Sequence, residues 1–167
     1  MFSWAPVARK TIHHMDFETL VGVNKGVVAL TGEPHGYSPA DERKLSELVE
    51  QVEQRADNQE FDEAVAEKAS LLVYEVARGQ FFRAGTKRTA LVAGLAFLSK
   101  NGFTLDIENA ELVGAVDKAG IAAADLDDLF EVIQSLAKKR PAERKGWSKA
   151  VDTIVSSNRD ALAKMGS

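Results

Sequence analysis

Along most of the chain, apolar residues recur every three or four positions, the spacing of an amphipathic helix. Stretches rich in polar residues, glycine and proline separate these segments. The segment over 86–100 has little polar surface, which is typical of a central, buried helix. We therefore expect an all-α fold, a single helical bundle of about seven helices around this central one. The predicted helices cover residues 16–30, 38–54, 61–78, 86–100, 108–118, 124–139 and 146–165.

Signals at the ends of these segments support the assignment. Ser38 followed by Pro39 is a common helix start, in which the serine side chain caps the first turn. Gly79 is a common helix end. Residues 55–60 interrupt the pattern, and residues 1–15 show no regular period, so we interpret them as an irregular N-terminal arm.

The composition narrows the classes of function. The 167 residues are 45% hydrophobic and 28% charged, with a net charge of -4. Non-specific nucleic-acid binding needs a basic face, so this acidity disfavours it. The absence of cysteine excludes disulfides and thiolate catalysis. The longest apolar run, 90–98, is too short for a membrane span, and the N-terminal residues lack the apolar core of a signal peptide. We expect a cytoplasmic protein without nucleic-acid or membrane partners.

Several isolated titratable residues have an ordinary interpretation and a functional one. His13 and His14 suggest a metal pair, but neighbouring side chains on a regular element point apart, so we interpret them as exposed polar residues. His35 lies in a loop with glycine and proline, where it is either solvated or part of a site. Glu75 is either a helix-surface glutamate or a group that faces the turn after Gly79.

The turn before the central helix is the strongest candidate for chemistry. Residues 78–90 contain four cations and no carboxylate. Gly85 allows close approach of a ligand, and Thr86 either caps the helix or donates its hydroxyl to a phosphate. Cations at a helix N-terminus are disfavoured by the helix dipole, so Lys87 and Arg88 predict a bound anion, such as a phosphate. The four cations are Arg78, Arg83, Lys87 and Arg88.

The same turn resembles the active-site loop of the Fic/Doc (Fido) family, and more closely that of its Doc (death-on-curing) branch. The family loop reads H-x-F-x-D/E-G/A-N-G/K-R, and residues 80–88 read QFFRAGTKR. Similarity continues into both flanking helices and covers roughly residues 16–139. Residues 140–167 are interpreted as an additional C-terminal helix that packs on or extends this domain.

The resemblance implies a phosphate-binding loop formed by Gly85, Thr86, Lys87 and Arg88, together with Arg83. Fic members of the family transfer AMP to a protein hydroxyl. Doc-type toxins, with lysine at the later loop position, act as protein kinases and are held by an antitoxin. The resemblance therefore implies a nucleotide such as ATP and an antitoxin-like protein partner.

Three functional positions depart from the family pattern. The catalytic histidine is replaced by Gln80, the metal-binding acid by Ala84, and the asparagine by Thr86. An amide cannot accept a hydroxyl proton at neutral pH, and an alanine cannot bind Mg²⁺. We expect a degenerate, toxin-like pseudoenzyme that binds a nucleotide or a partner without Mg²⁺.

Two alternatives remain open. One is an active Doc-type protein kinase or Fic-type AMP transferase that uses a non-standard base, such as Glu75 or His35. The other is an interaction module whose turn holds no ligand.

Overall fold

The computed structural model describes residues 10–56 and 59–165. Residues 1–9 of the predicted arm, and residues 57 and 58 of the predicted break, lie outside the described residues. Within the two described ranges, the chain forms eight helices and one ladder of two short strands. The helices are α1 Phe17–Thr31, α2 Pro39–Gln54, α3 Phe61–Gly79, α4 Thr86–Lys100, α5 Ala110–Gly120, α6 Leu126–Leu136, α7 Trp147–Ser157 and α8 Arg159–Lys164, and the strands are β1 Phe103–Thr104 and β2 Lys138–Lys139.

The predicted all-α fold is confirmed, and helix α4 lies at its centre. Residues 88–99 of α4 are all buried, and the helix packs against α1, α3, α5 and α7. Its crossing with α3 is close, because a Cβ atom at Gly94 would overlap a methyl group of Val73. Buried on nearly every side, α4 presents its N-terminal residues to the turn that follows α3.

The N-termini of α1, α2 and α6 are fixed by side-chain caps. Asp16 accepts a hydrogen bond from the N–H of Thr19, and Ser38 accepts one from the N–H of Asp41, with Pro39 as the first residue of α2. Asp125 forms a capping box with Asp128 at the start of α6. These caps supply partners for N–H groups that a helix start leaves unpaired.

In two places the structure differs from the predicted elements by more than two residues. The single helix predicted over 146–165 is two helices, since the Asn158 side chain donates to the carbonyl of Ile154 at 2.8 Å and α7 ends there. The helix predicted over 124–139 ends at Leu136. The chain then forms β2, which pairs antiparallel with β1 so that Phe103 lies opposite Lys139.

Residues 10–15 are irregular and attached to the end of α4. Asn101 accepts a hydrogen bond from the His13 N–H at 2.8 Å and donates one to the His13 carbonyl at 2.9 Å. Met15 is buried, and the ring of His14 packs against Phe97. The described residues contain no group of three or more side chains suited to hold a metal ion. None of the described helices is long and apolar enough to cross a lipid bilayer.

Candidate functional site

The turn between α3 and α4, residues 80–85, rests on the loop that follows α1. Phe82 is buried, and its ring packs at right angles to the ring of Tyr37, with centroids 6.4 Å apart. The backbone N–H of Arg83 donates to the carbonyl of Gly36 at 2.9 Å. The turn is therefore tied to the loop after α1 by both an aromatic contact and a backbone hydrogen bond.

A buried asparagine on α1 fixes the other half of the turn. The amide nitrogen of Asn24 donates to the carbonyl of Ala84 at 2.9 Å and to the hydroxyl of Thr89 at 3.0 Å. Its amide oxygen lies 2.7 Å from Nδ1 of His35. Since an amide oxygen can only accept, the ring proton of His35 lies on Nδ1. Asn24 thus joins three elements that surround the turn.

Gly85 sets the direction in which α4 begins. It has a φ of 77°, in the left-handed region that favours glycine, and it is the N-cap of α4 without a side-chain cap. Thr86 is the first helical residue, so it does not cap the helix. The first intrahelical bond comes from the N–H of Thr89, which donates to the carbonyl of Gly85. The N–H groups of residues 86–88 have no partner within the helix.

A cavity of about 280 Å³ opens beside this turn. Its walls come from the end of α3, the turn with the first residues of α4, and the end of α5. Among the described residues, the cavity is lined by Ala77, Gln80, Phe82, Arg83, Ala84, Gly85, Thr86, Lys87, Val116, Asp117, Gly120 and Ile121.

Lys87 and Asp117 form an ion pair across the cavity. Lys87 Nζ lies 2.9 Å from Asp117 Oδ1, and the side chains are 18% and 55% exposed. Asp117 is an exposed residue of α5, the helix that follows α4 in the chain. It supplies the one carboxylate among the described residues that line the cavity.

Arg88 points away from the cavity and is buried. Its Nε donates to the carbonyl of Leu162 at 2.7 Å, one terminal nitrogen donates to Glu33 Oε1 at 2.8 Å, and the other donates to the carbonyl of Met165. The guanidinium is therefore enclosed by the end of α8 and by the loop after α1. Arg88 does not line the cavity.

Contacts with Thr31 and Arg88 favour the ionised form of Glu33. The pKa of its carboxyl is lowered from the ordinary 4.5, mainly by the hydrogen bond that Thr31 donates. Burial acts in the opposite direction, and the charge and hydrogen bond of Arg88 lower the pKa further.

Neither of the two residues considered as alternative bases lines the cavity. Burial, and to a smaller extent the charge of Lys25, lowers the pKa of His35, which favours the neutral ring. The ring is half-buried against Tyr37, outside the cavity. Glu75 lines a separate cleft of about 270 Å³ beside Arg78.

Of the seven residues that the resemblance assigns to the loop, six line the cavity and one lies apart. Arg88 is enclosed elsewhere, and the six that share the cavity are Gln80, Arg83, Ala84, Gly85, Thr86 and Lys87. Sequence reasoning missed Asn24, Glu33 and Asp117. Asn24 had a signal, because it is a polar residue within the apolar stripe of α1. Nothing in the sequence near Asp117 or Glu33 indicates their partners.

Comparison with models of protein families matches residues 10–98 to the Fic/DOC family. The matched range is just over half of the chain, and it contains α1 to α3, the turn and most of α4. No curated protein and no solved structure gave a significant match.

Proposed function

Because the chain belongs to the Fic/DOC family, we propose that it is a non-catalytic, Doc-like member. Its turn binds either a protein partner or a nucleotide, the latter through its phosphate groups. One observation carries the proposal. The cavity contains cations and helix N–H groups but, where the loop resemblance places the family's histidine and acid, Gln80 and Ala84.

The residues of the cavity suit a nucleotide phosphate. Arg83 and Lys87 supply positive charge, and the N–H groups of residues 86–88 point out of the start of α4. The volume of about 280 Å³ is near the lower end of the range for ligand cavities, so it suits a phosphate chain better than a whole nucleotide. ATP is the nucleotide we test.

The donor set does not suit Mg²⁺. This ion prefers oxygen ligands, usually one or two carboxylates plus phosphate and water. Ala84 has no donor, and Asp117 is held by Lys87. We expect the affinity for ATP, measured by calorimetry, to change little when Mg²⁺ is added or removed.

Two variants test phosphate binding in opposite directions. Lys87→Gln removes a charge-assisted contact and should weaken ATP binding about tenfold. Asp117→Asn removes a negative charge from the cavity and releases Lys87, so ATP should bind about fivefold more tightly. If neither variant changes the affinity for ATP, or if the protein does not bind ATP with or without Mg²⁺, the turn is not a phosphate site.

Catalysis is tested by incubating the protein with labelled ATP and a cell lysate. The matched sample is the triple variant Gln80→His, Ala84→Asp, Thr86→Asn, which restores the family pattern. Gln80 has a φ of 53°, a backbone conformation in which histidine is comparatively well tolerated. We expect no labelled product from the unmodified protein. Labelled protein in the sample with the unmodified chain would overturn the non-catalytic proposal.

A second function is favoured by Asp117. If the protein is an active Doc-type kinase or AMP transferase, the carboxylate in the cavity is the group placed to accept a proton from a protein hydroxyl. Transfer by the unmodified protein that is lost in Asp117→Asn, and retained in Glu75→Gln and His35→Gln, would support this alternative.

The partner half of the proposal concerns the rim of the cavity, where Ile121 lies. Its side chain is 77% exposed, the one exposed large apolar side chain in the described part of the chain. An antitoxin-like protein that covers the cavity would bury this side chain. Ile121→Ser, which removes the apolar side chain without adding a charge to the cavity, should weaken such a complex while ATP binding changes little.

A further inference from the structure

A second cavity lies at the other end of α4 and is not part of the site described above. Its volume is about 540 Å³, which is within the usual range for small-molecule sites. A helix of 15 residues is about 22 Å long, so α4 separates the two cavities by roughly that distance. We call this second cavity the distal cleft.

The distal cleft is strongly cationic in an acidic protein. Its lining includes Lys10, Lys100, Lys139 and Arg140, against one carboxylate, that of Asp62. Asp62 is already paired with Lys139, since the nitrogen and the carboxylate oxygen lie 3.0 Å apart. The net charge of these five side chains is +3, whereas the whole chain carries -4.

Three of the cations have no carboxylate partner. In the described ranges, none of Lys10, Lys100 and Arg140 forms an ion pair. The ammonium of Lys100 donates to the carbonyl of Lys145 at 2.6 Å, and the guanidinium of Arg140 makes one 3.4 Å contact, to the carbonyl of Pro141. The carboxylate of Glu143 lies near both Arg140 and Lys100, but it accepts the N–H of Lys145 and does not line the cleft. An anion that enters the cleft would be attracted by all of these cations at once, whereas water screens their mutual repulsion while the side chains are exposed.

The floor of the distal cleft is apolar and aromatic. Phe61 and Phe103 line it and are half-buried. The ammonium of Lys10 lies 5.3 Å from the centre of the Phe61 ring, so one cation stands directly over the floor. A flat apolar group can pack against these rings while its charged end meets the cations.

The walls are held in place before any ligand binds. At one side, the side chain of buried Asn101 hydrogen-bonds to both the N–H and the carbonyl of His13. At the other side, the N–H of Arg140 donates to the carbonyl of Gly102 at 2.9 Å, next to the paired strands β1 and β2. A preformed cleft loses little conformational entropy on binding.

We infer that the distal cleft binds a small organic anion with a flat apolar body, of the class of aromatic carboxylates. The cations would hold the carboxylate, and the two phenylalanine rings would hold the body. Polynucleotides are disfavoured, because the positive charge is confined to one cleft in a chain of net charge -4.

Two-dimensional ¹H–¹⁵N NMR tests this inference with naphthalene-2-carboxylate as the probe. The neutral naphthalene-2-carboxamide, which has the same rings, is the matched ligand. The carboxylate should shift the amide signals of Gly102, Phe103 and Arg140 in a saturable way, and should bind about tenfold more tightly than the amide. Signals of Gly85, Thr86 and Lys87 should not move, which separates this site from the phosphate site.

Arg140→Gln should weaken binding of the carboxylate about tenfold. Arg43→Gln, which removes an exposed arginine of α2 away from the cleft, should leave it unchanged. Thermal unfolding of both variants checks that the fold is retained. The inference is wrong if the carboxylate does not saturate, if the neutral amide binds equally well, if Arg140→Gln has no effect, or if the shifts centre on Gly85–Lys87.

Discussion

The guanidinium of Arg88 is a buried cation, and each of its three nitrogens donates to a protein oxygen. Carbonyls of Leu162 and Met165 and the carboxylate of Glu33 surround it. Lysine, with a single point of charge, cannot satisfy this fork-shaped arrangement. The residue that the family resemblance assigns to phosphate is thus used in this conformation to join α4 to α8.

Arg88→Met should therefore destabilise the fold. The substitution removes the donor to the Met165 carbonyl, leaves the buried Leu162 carbonyl with only the N–H of Met165 at 3.3 Å, and takes the charged partner from Glu33. The free energy of unfolding should therefore fall by about 2–4 kcal/mol. Arg83→Met is the control, since Arg83 is exposed and its loss should change the value by less than about 0.5 kcal/mol. Urea unfolding followed by circular dichroism measures both. Equal stability of the two variants would contradict the structural role of Arg88.

Glu33 gives this contact a dependence on pH. Its pKa is lower in the folded protein than the ordinary 4.5, so ionised Glu33 stabilises the fold above that value. The contribution is lost as the pH falls through the folded pKa. Glu33→Gln should be less stable than the unmodified protein at pH 7, and the difference should shrink as the pH falls below 4.5. Urea unfolding at several pH values tests this; a difference that is constant with pH would rule it out.

At the scale of the elements, the crossing of α3 and α4 depends on one missing side chain. Gly94 lies where α4 meets Val73 of α3, and a Cβ atom there would overlap that valine. The same crossing sets where the turn between the two helices emerges. The geometry of the candidate site is thus linked to packing in the middle of α4.

Gly94→Ala should lower the free energy of unfolding by about 1–3 kcal/mol, because the added methyl group overpacks a buried contact. Gly114→Ala is the matched substitution, since nothing lies within 4 Å of the position of its Cβ in α5. It should raise stability by about 0.5–1 kcal/mol through helix propensity. Thermal and urea unfolding compare the two. The same sign for both variants would show that the crossing tolerates a methyl group.

Local patterns predicted the elements far better than the contacts between them. The spacing of apolar residues predicted the ends of α1 to α4 to within one residue of their observed positions. Each of these helices has its own apolar stripe and its own end signals. The break at Asn158 was missed because the stripe continues across it to Leu162. The turn was found from its local run of cations and glycine. Asp117 could not be found, because its pairing with Lys87 depends on how α5 packs.

At the scale of the whole molecule, the segment after residue 139 is part of the core. Helix α7 packs against α1 and α4, and α8 packs against α1. The segment's buried apolar residues are Ala150, Val151, Ile154, Val155 and Leu162. The segment also lines the distal cleft through Arg140 and Ala142. Its removal should affect both ends of α4.

A chain that stops after Lys139 should be at least about 5 kcal/mol less stable, or should aggregate, because apolar faces of α1 and α4 become exposed. A chain that stops after Ser157 keeps α7 and should lose less. Size-exclusion chromatography and urea unfolding distinguish these cases. If the shorter chain is a monomer of unchanged stability, the C-terminal segment is not part of the core.

The bond between Arg88 and the end of α8 also bears on how the protein is made. The carbonyls that hold Arg88 lie 74 and 77 residues later in the chain. During synthesis, α1 to α4 leave the ribosome well before these carbonyls exist. Until then, Glu33 is the one partner of Arg88 that has been translated. We therefore expect Arg88 to become enclosed only after α8 has been synthesised.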